Sequence, residues 1–250
     1  MFHTIQGRRI EYEFQRTGAP VMVFLHEALG SMAMWKDFPA RCALAAGCDA
    51  LVYSRYGYGR SEELEGARRV DYLHDEALKS LPELLDRLEV ERPILFGHSD
   101  GASIALLHAG GAERPVRGVI ALAPHVMVDD AAIAGIEATK RNFETTDLRE
   151  RLRRYHSNPD SAFWGWVDIY LAPEFRAWNI EEYLPRIACP VLAMQGVDDE
   201  YATGEQMERI ARAAPQAEVV MLENCRHSPH RDRAEAVCEA VSRFVTEICK

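Results

Sequence analysis

The feature that most restricts the fold of this chain is a series of short apolar runs, each followed by a segment with helical spacing. Val21–Leu25, Leu51–Tyr53, Pro93–Phe96, Gly118–Leu122 and Pro190–Met194 form the series, and Glu218–Leu222 closes it. A short run without polar alternation reads as a strand buried on both faces. Between the runs, Asp71–Leu88 carries Leu78, Leu81, Leu85 and Leu88 at helical spacing, and Ala102–Ala109 is apolar. Gln206–Ala214 and Ala234–Ile248 are amphipathic, the latter with Val237, Val241, Phe244, Val245 and Ile248 on one face. Alternation of this kind predicts an α/β fold, a mostly parallel sheet with helices on both faces. Ahead of the series, Phe2–Gln6 and Ile10–Gln15 flank Gly7 and read as a hairpin, which makes the sheet eight-stranded.

One stretch breaks the alternation. From Asp129 to Leu184 there is no buried-strand run, only charged, aromatic-bearing sequence with helical character that includes Trp164, Trp166 and Trp178. It reads as an insertion after the sixth strand, so residues 1–128 and 185–250 form the core and 129–184 a helical addition within a single structural unit. With 48% hydrophobic and 27% charged residues, the chain has ordinary globular composition. A net charge of −10 disfavours nucleic-acid and anionic-membrane partners. The six cysteines show neither CxxC nor zinc-finger spacing and read as free, mostly buried thiols of a reducing compartment. The first residues carry charges where a signal peptide needs an apolar core, and no apolar run approaches the ~20 residues that span a bilayer. The expectation is a cytoplasmic protein.

Gly97-His98-Ser99-Asp100-Gly101 follows the run ending at Phe96 and precedes the apolar stretch from Ala102. Strand, G-x-S-x-G and helix in that order make a nucleophile elbow. The turn is tight enough that side chains two residues either side of the serine would collide, so glycine is needed at 97 and 101. It lifts the Ser99 hydroxyl above the sheet and turns backbone N–H groups of the helix N-terminus toward whatever the hydroxyl attacks.

Four further motifs stand in order with the elbow: Phe24-Leu25-His26-Glu27-Ala28-Leu29-Gly30, Arg55-Tyr56-Gly57-Tyr58-Gly59-Arg60-Ser61, Gln195-Gly196-Val197-Asp198-Asp199 and Asn224-Cys225-Arg226-His227. With them the chain resembles the α/β-hydrolases over nearly its whole length, in particular the lidded branch of valacyclovirase-like esterases and meta-cleavage-product hydrolases. The resemblance implies Ser99 as nucleophile, His227 as base and an acid to orient it. The family's Gly-x-x-Asp pattern points from Gly196 to Asp199, with Asp198 as the neighbouring alternative. It implies an oxyanion hole from the N–H groups of Asp100 and Ala28, although Glu27 stands where the family usually has glycine. A carboxylate opposing an oxyanion would be unfavourable, so Glu27 is expected to turn away or to face a cation. His98 and His26 are expected to be structural, and His125 is read equally as a polar lining of the pocket or as a plain loop residue. His230 makes an HxxH pair with His227, but no acid or cysteine completes a ligand set, and no metal or other cofactor is expected.

The same resemblance makes residues 129–184 a cap that shapes substrate choice, with Glu27, His125, Trp164 and Trp166 as candidate substrate contacts. Lys140, Arg141, Arg149, Arg151, Arg153 and Arg154 invite an anionic substrate, but acid-then-base pairs at i,i+4 read better as a solvated helix face. In valacyclovirase-like enzymes an acid at the position of Asp100 accepts the substrate's α-amino group; a plain helix cap is the other reading of Asp100. The implied function is a serine hydrolase acting on a small carboxylic ester or related acyl compound. Carbon–carbon bond hydrolysis of a ring-cleavage product and a non-catalytic small-molecule receptor are the alternatives. The expected partner is a small-molecule substrate; the oligomeric state is open, a homodimer being one option.

Overall fold

A computed structural model describes residues 1–250. Eight strands form one sheet: β1 (Phe2–Ile5), β2 (Arg8–Phe14), β3 (Val21–Leu25), β4 (Asp49–Tyr53), β5 (Ile94–His98), β6 (Gly118–Leu122), β7 (Val191–Gly196) and β8 (Ala217–Leu222). Their order is β1-β2-β4-β3-β5-β6-β7-β8. The hairpin joins the sheet antiparallel to β4, and every later pairing is parallel. The helices are α1 (Phe38–Ala45), α2 (Tyr72–Asp75), α3 (Leu81–Arg87), α4 (Asp100–Gly111), α5 (Asp130–Thr145), α6 (Leu148–Leu152), α7 (Pro159–Leu171), α8 (Glu205–Ala213), α9 (Pro229–Asp232) and α10 (Ala234–Ile248).

The period-2 geometry of a strand divides the core in two. Met22, Phe24, Val52, Ile94, Phe96, Ile120, Leu122, Leu192 and Met194 face one way, against Phe38 and Cys42 of α1 and Val237, Val241 and Phe244 of α10. Val23, Leu25, Leu51, Tyr53, Leu95, Val119, Ala121, Val191 and Ala193 face the other, against α3, α4 and α8. Both faces of the central strands are buried, which is why their sequences do not alternate.

The expected helix over Asp71–Leu88 is interrupted. Between α2 and α3 the backbone widens to a π-turn at Glu76–Ser80, directly ahead of Pro82. Proline has no N–H to donate and its ring would strike the carbonyl four residues back, so the ladder opens by one residue there. The cysteines also depart from expectation: Cys42 and Cys225 are buried, but Cys48, Cys189 and Cys238 are only partly covered and Cys249 is exposed, with no disulfide among them.

Helices α5–α7 fill the segment between β6 and β7. Asp129 caps α5 by accepting the Ala132 N–H at 2.8 Å, and Asn158 caps α7 from Ser161 at 3.0 Å. The segment is tied at several points to the loops that leave the sheet. Ile180 N–H donates to the Val126 carbonyl at 2.8 Å and Ser157 N–H to that of Gly59 at 2.8 Å. His156 is buried: its Nδ1 accepts the Gly59 N–H at 3.0 Å, and its Nε2–H points to the Leu29 carbonyl at 3.2 Å. Of the i,i+4 pairs, Asp147–Arg151 forms at 3.2 Å, whereas Glu150 pairs with Arg153 and Asp160 with Arg149; these three arginines are about half exposed, as on a solvated face.

Candidate active site

The turn from β5 into α4 has the steric content its glycines suggest. Ser99 sits at φ +53°, ψ −118°, a left-handed conformation that costs a non-glycine residue energy. A Cβ on Gly97 would lie 2.2 Å from the Gly101 carbonyl oxygen, and one on Gly101 would lie 2.0 Å from the Leu25 carbonyl oxygen. Neither glycine has a positive φ; both are needed for close approach. The Ser99 N–H donates to the Leu122 carbonyl at 2.9 Å, which locks the turn to β6.

Two other loops bring side chains to Ser99. His227 follows β8 and Asp199 follows β7. His227 Nε2 lies 3.0 Å from Ser99 Oγ, and its Nδ1 lies 2.8 and 3.0 Å from the two carboxylate oxygens of Asp199. An ionised carboxylate only accepts, so the ring proton is on Nδ1 and the Nε2 lone pair faces the hydroxyl. The loops meet because residue 196 is glycine: a Cβ there would lie 2.1 Å from the Cys225 carbonyl oxygen. Burial pushes the Asp199 carboxyl up, but the His227 hydrogen bond, its charge and the Tyr201 N–H at 2.9 Å bring it below the usual carboxylate range. Its neighbours take other parts. Asp198 is exposed and only its N–H is engaged, by the Cys225 carbonyl at 3.0 Å; Glu200 accepts the His227 N–H at 3.1 Å.

These groups open into a cavity of about 210 Å³ lined by Ala28, Asp100, His125, Trp166 and Tyr170 among others. The Ala28 N–H has no acceptor within the protein. Asp100 is the first residue of α4, where N–H groups have no intrahelical partner. Glu27 lies at the rim, where Oε1 is 3.3 Å from the Arg231 guanidinium and Oε2 is 3.4 Å from His98 Nδ1. Burial acts against its charge, but His98 and then Arg231 hold it well below the ordinary carboxylate range. His98 in turn donates from Nε2 to the His227 carbonyl at 2.7 Å. His26 is neutral, its Nδ1–H donating to the Glu27 carbonyl at 2.6 Å while Nε2 accepts the Arg55 N–H at 3.0 Å.

His125 is 5% exposed, lines the cavity, and has no partner for Nδ1. Burial and then the charge of His227 bring it down to about 4, so it is neutral at neutral pH. His230, three residues after His227, packs on Trp35, Phe38 and His98.

Trp166 lines the cavity, but Trp164 does not. Two positions apart on α7, the rings leave the helix about 200° apart. Trp164 packs edge-on against Phe143 and Phe163 and faces a separate cleft with Leu64 and Arg68. Asp100 is neither a side-chain cap nor an open acceptor. Its buried carboxylate accepts the hydroxyls of Tyr72 at 2.7 Å and Tyr170 at 2.6 Å and lies 3.5 Å from the Arg55 guanidinium. Sequence reasoning missed Tyr72, Tyr170, Tyr201 and Arg231. No local pattern marks them, although Arg55 stood within a motif already singled out.

A family model described as the alpha/beta hydrolase family matches residues 22–240. The chain belongs to the alpha/beta hydrolase family. It is 25% identical over 268 aligned positions to a Mycobacterium tuberculosis protein named as a non-heme bromoperoxidase, covering 96% of this chain and 98% of the relative. A Pseudomonas savastanoi protein named as a carbamate hydrolase is 26% identical, with 91% and 92% covered. Among solved structures, an enol-lactonase from Burkholderia xenovorans superimposes with a TM-score of 0.78 at 22% identity, over 98% of this hydrolase and 100% of that chain. A thermophilic esterase from Thermogutta terrifontis gives 0.77 at 20% identity, over 99% and 98%. These two likenesses carry the fold. No helix of this hydrolase is long and apolar enough to cross a membrane.

Proposed function

We propose that this hydrolase cleaves a small carboxylic ester or related acyl compound through a serine-bound acyl intermediate. The observation that carries the reading is the single imidazole of His227 within hydrogen-bond reach of both Ser99 Oγ and the Asp199 carboxylate. Ser99 attacks the carbonyl carbon as His227 Nε2 takes its proton. Asp199 holds the imidazole in the Nδ1–H tautomer and stabilises the cation that forms. The N–H groups of Ala28 and Asp100 receive the developing oxyanion, charge-assisted hydrogen bonds that strengthen as the carbonyl oxygen becomes negative. His227 then protonates the departing alkoxide. Water, activated by the same imidazole, releases the acid from Ser99.

Residues 129–184 act as a cap over this site, with Trp166 as apolar wall and His125 Nδ1 as the neutral polar group offered to the substrate. Glu27 supports the rim rather than the oxyanion, because Arg231 and His98 engage its carboxylate. The cavity, about 210 Å³, lies below the usual range for drug-sized ligands, which favours a short acyl group. Two independent readouts test the proposal: labelling by a fluorophosphonate and hydrolysis of p-nitrophenyl acetate. Ser99→Ala should abolish labelling and lower turnover by roughly 10³–10⁶ with the fold intact. A variant that still turns over the ester at the wild-type rate would overturn it. Turnover of dienones without turnover of esters would place the chemistry at a carbon–carbon bond instead.

A further inference from the structure

Arg55 lies two residues beyond the end of β4, and its side chain is 2% exposed. One nitrogen, Nη2, makes three contacts. It donates to the Glu27 carbonyl at 3.0 Å and the His26 carbonyl at 3.3 Å, and it lies 3.5 Å from Asp100 Oδ2. The backbone N–H of Arg55 also holds His26, through Nε2 at 3.0 Å. Two of these partners immediately precede Ala28; the third is the side chain of the residue after the nucleophile.

Those are the two segments that carry the proposed oxyanion donors, and they come from different parts of the chain. The 26–30 loop leaves β3, whereas Asp100 opens α4. No hydrogen bond joins Ala28 to Asp100 directly. Arg55 is the shared partner of both segments. Hydrogen bonds from Tyr72 and Tyr170 complete the setting of Asp100, and Tyr170 belongs to α7 of the inserted segment. Burying a guanidinium and a carboxylate 3.5 Å apart is expensive unless the remaining donors and acceptors are satisfied, and apolar residues of similar volume often serve stability equally well. A buried charge pair at this point therefore calls for a role beyond packing.

We propose that Arg55 is a positioning residue for the oxyanion hole, fixing the separation and aim of the Ala28 and Asp100 N–H groups through one guanidinium. The inference rests on the serine-hydrolase reading above. Preorganised donors contribute only if they already point to where the charge will develop. A displacement of about 1 Å costs on the order of 10²-fold in rate. Lysine keeps the charge, but its side chain is one bond shorter and has no planar group to fix its end, so its ammonium does not reach the place from which Nη2 contacts both segments.

The test uses Arg55→Lys and Arg55→Met in the full chain, with the Asp100→Asn variant as a milder cut of the same link. Each variant is measured for p-nitrophenyl acetate hydrolysis, for inhibition by ethylboronic acid, for fluorophosphonate labelling and for melting temperature. The boronate forms a tetrahedral adduct on Ser99 that places an oxygen in the hole. The expected result for Arg55→Lys is a fall in kcat of about 10²-fold with KM within about threefold. Boronate affinity should fall in parallel with kcat/KM, because both report stabilisation of the tetrahedral state. Labelling should become slower but still reach one phosphonate per chain. Asp100→Asn should show a smaller loss, of order tenfold, in the same parameter. A merely structural role would lower the melting temperature and the labelled fraction without separating kcat from KM. Arg55→Lys or Asp100→Asn with wild-type kcat, or a kcat loss with unchanged boronate affinity, would overturn the proposal. If both Arg55 variants fail to fold, Asp100→Asn decides it alone. Wild-type protein that neither labels nor hydrolyses the ester would instead overturn the serine-hydrolase reading, and the role of Arg55 with it.

Discussion

Replacing Asp199 by asparagine tests the proposed division of labour most sharply, because the substitution changes charge and donor pattern while keeping size. Tyr201 N–H donates to Oδ1 at 2.9 Å, so the asparagine carbonyl is directed to that position and its amide group to the position of Oδ2. Oδ2 lies 3.0 Å from His227 Nδ1. The asparagine carbonyl can still accept the Nδ1–H at 2.8 Å, but the amide group 3.0 Å away is a donor that favours an unprotonated Nδ1, so the ring gains access to the tautomer with its proton on Nε2. Nε2 is the atom 3.0 Å from Ser99 Oγ, and once protonated it has no lone pair to take the hydroxyl proton. The electrostatic part sets the magnitude. An imidazolium proton donor 2.8 Å from a carboxylate oxygen is stabilised by about 6 kcal/mol at an effective dielectric of 20. At about 1.4 kcal/mol per tenfold, that is roughly 10⁴ in rate. The expected loss in kcat for Asp199→Asn is therefore about 10⁴-fold, with KM little changed and the melting temperature close to wild type. Asp198→Asn, exposed and engaged only through its backbone, should stay within about twofold. Hydrolysis of p-nitrophenyl acetate and the rate of fluorophosphonate labelling give the two numbers. An Asp199→Asn loss below tenfold, or a larger loss from Asp198→Asn, would refute the assignment of the acid.

Acid stability follows from the buried histidines. His26, His125 and His230 are each lowered first by burial, and the lowering of His125 from 6.5 to about 4 corresponds to roughly 3 kcal/mol. The unfolded chain binds these protons where the folded one does not, so stability should be complete above about pH 7 and fall as pH drops from 6.5 toward 4. Melting temperatures that stay level or rise over that range would contradict the sign. The filled coordination of Asp100 makes a third prediction: an aminoacyl p-nitrophenyl ester should show no kcat/KM advantage over its des-amino analogue, since Tyr72, Tyr170 and Arg55 already engage the carboxylate. A tenfold or greater advantage that disappears in Asp100→Asn would show that an amine displaces one of those donors.

Much of this molecule was legible before any coordinates. The apolar runs gave the central strands because a strand buried on both faces leaves a local signature in every residue it contains. Gly97 and Gly101 announced the elbow for a reason of the same local kind, and the structure gives it numbers, 2.2 and 2.0 Å to neighbouring carbonyl oxygens. Gly196 gave the register of Asp199, and the structure added its steric reason, 2.1 Å from a Cβ there to the Cys225 carbonyl oxygen. Tertiary structure alone decided what the polar groups do. Asp100 is bound by residues 28, 45 and 70 positions away in the chain, Tyr72, Arg55 and Tyr170. The partner of Glu27 across the rim, Arg231, is 204 positions away. Trp164 and Trp166 sit two positions apart in similar sequence, and only the placement of α7 over the sheet sends one to the cavity and the other to a different cleft. Backbone geometry is set by near neighbours and repeats with a period that a sequence displays. The partner of a buried charge is set by which distant elements the fold brings within hydrogen-bond reach, and no periodicity encodes that.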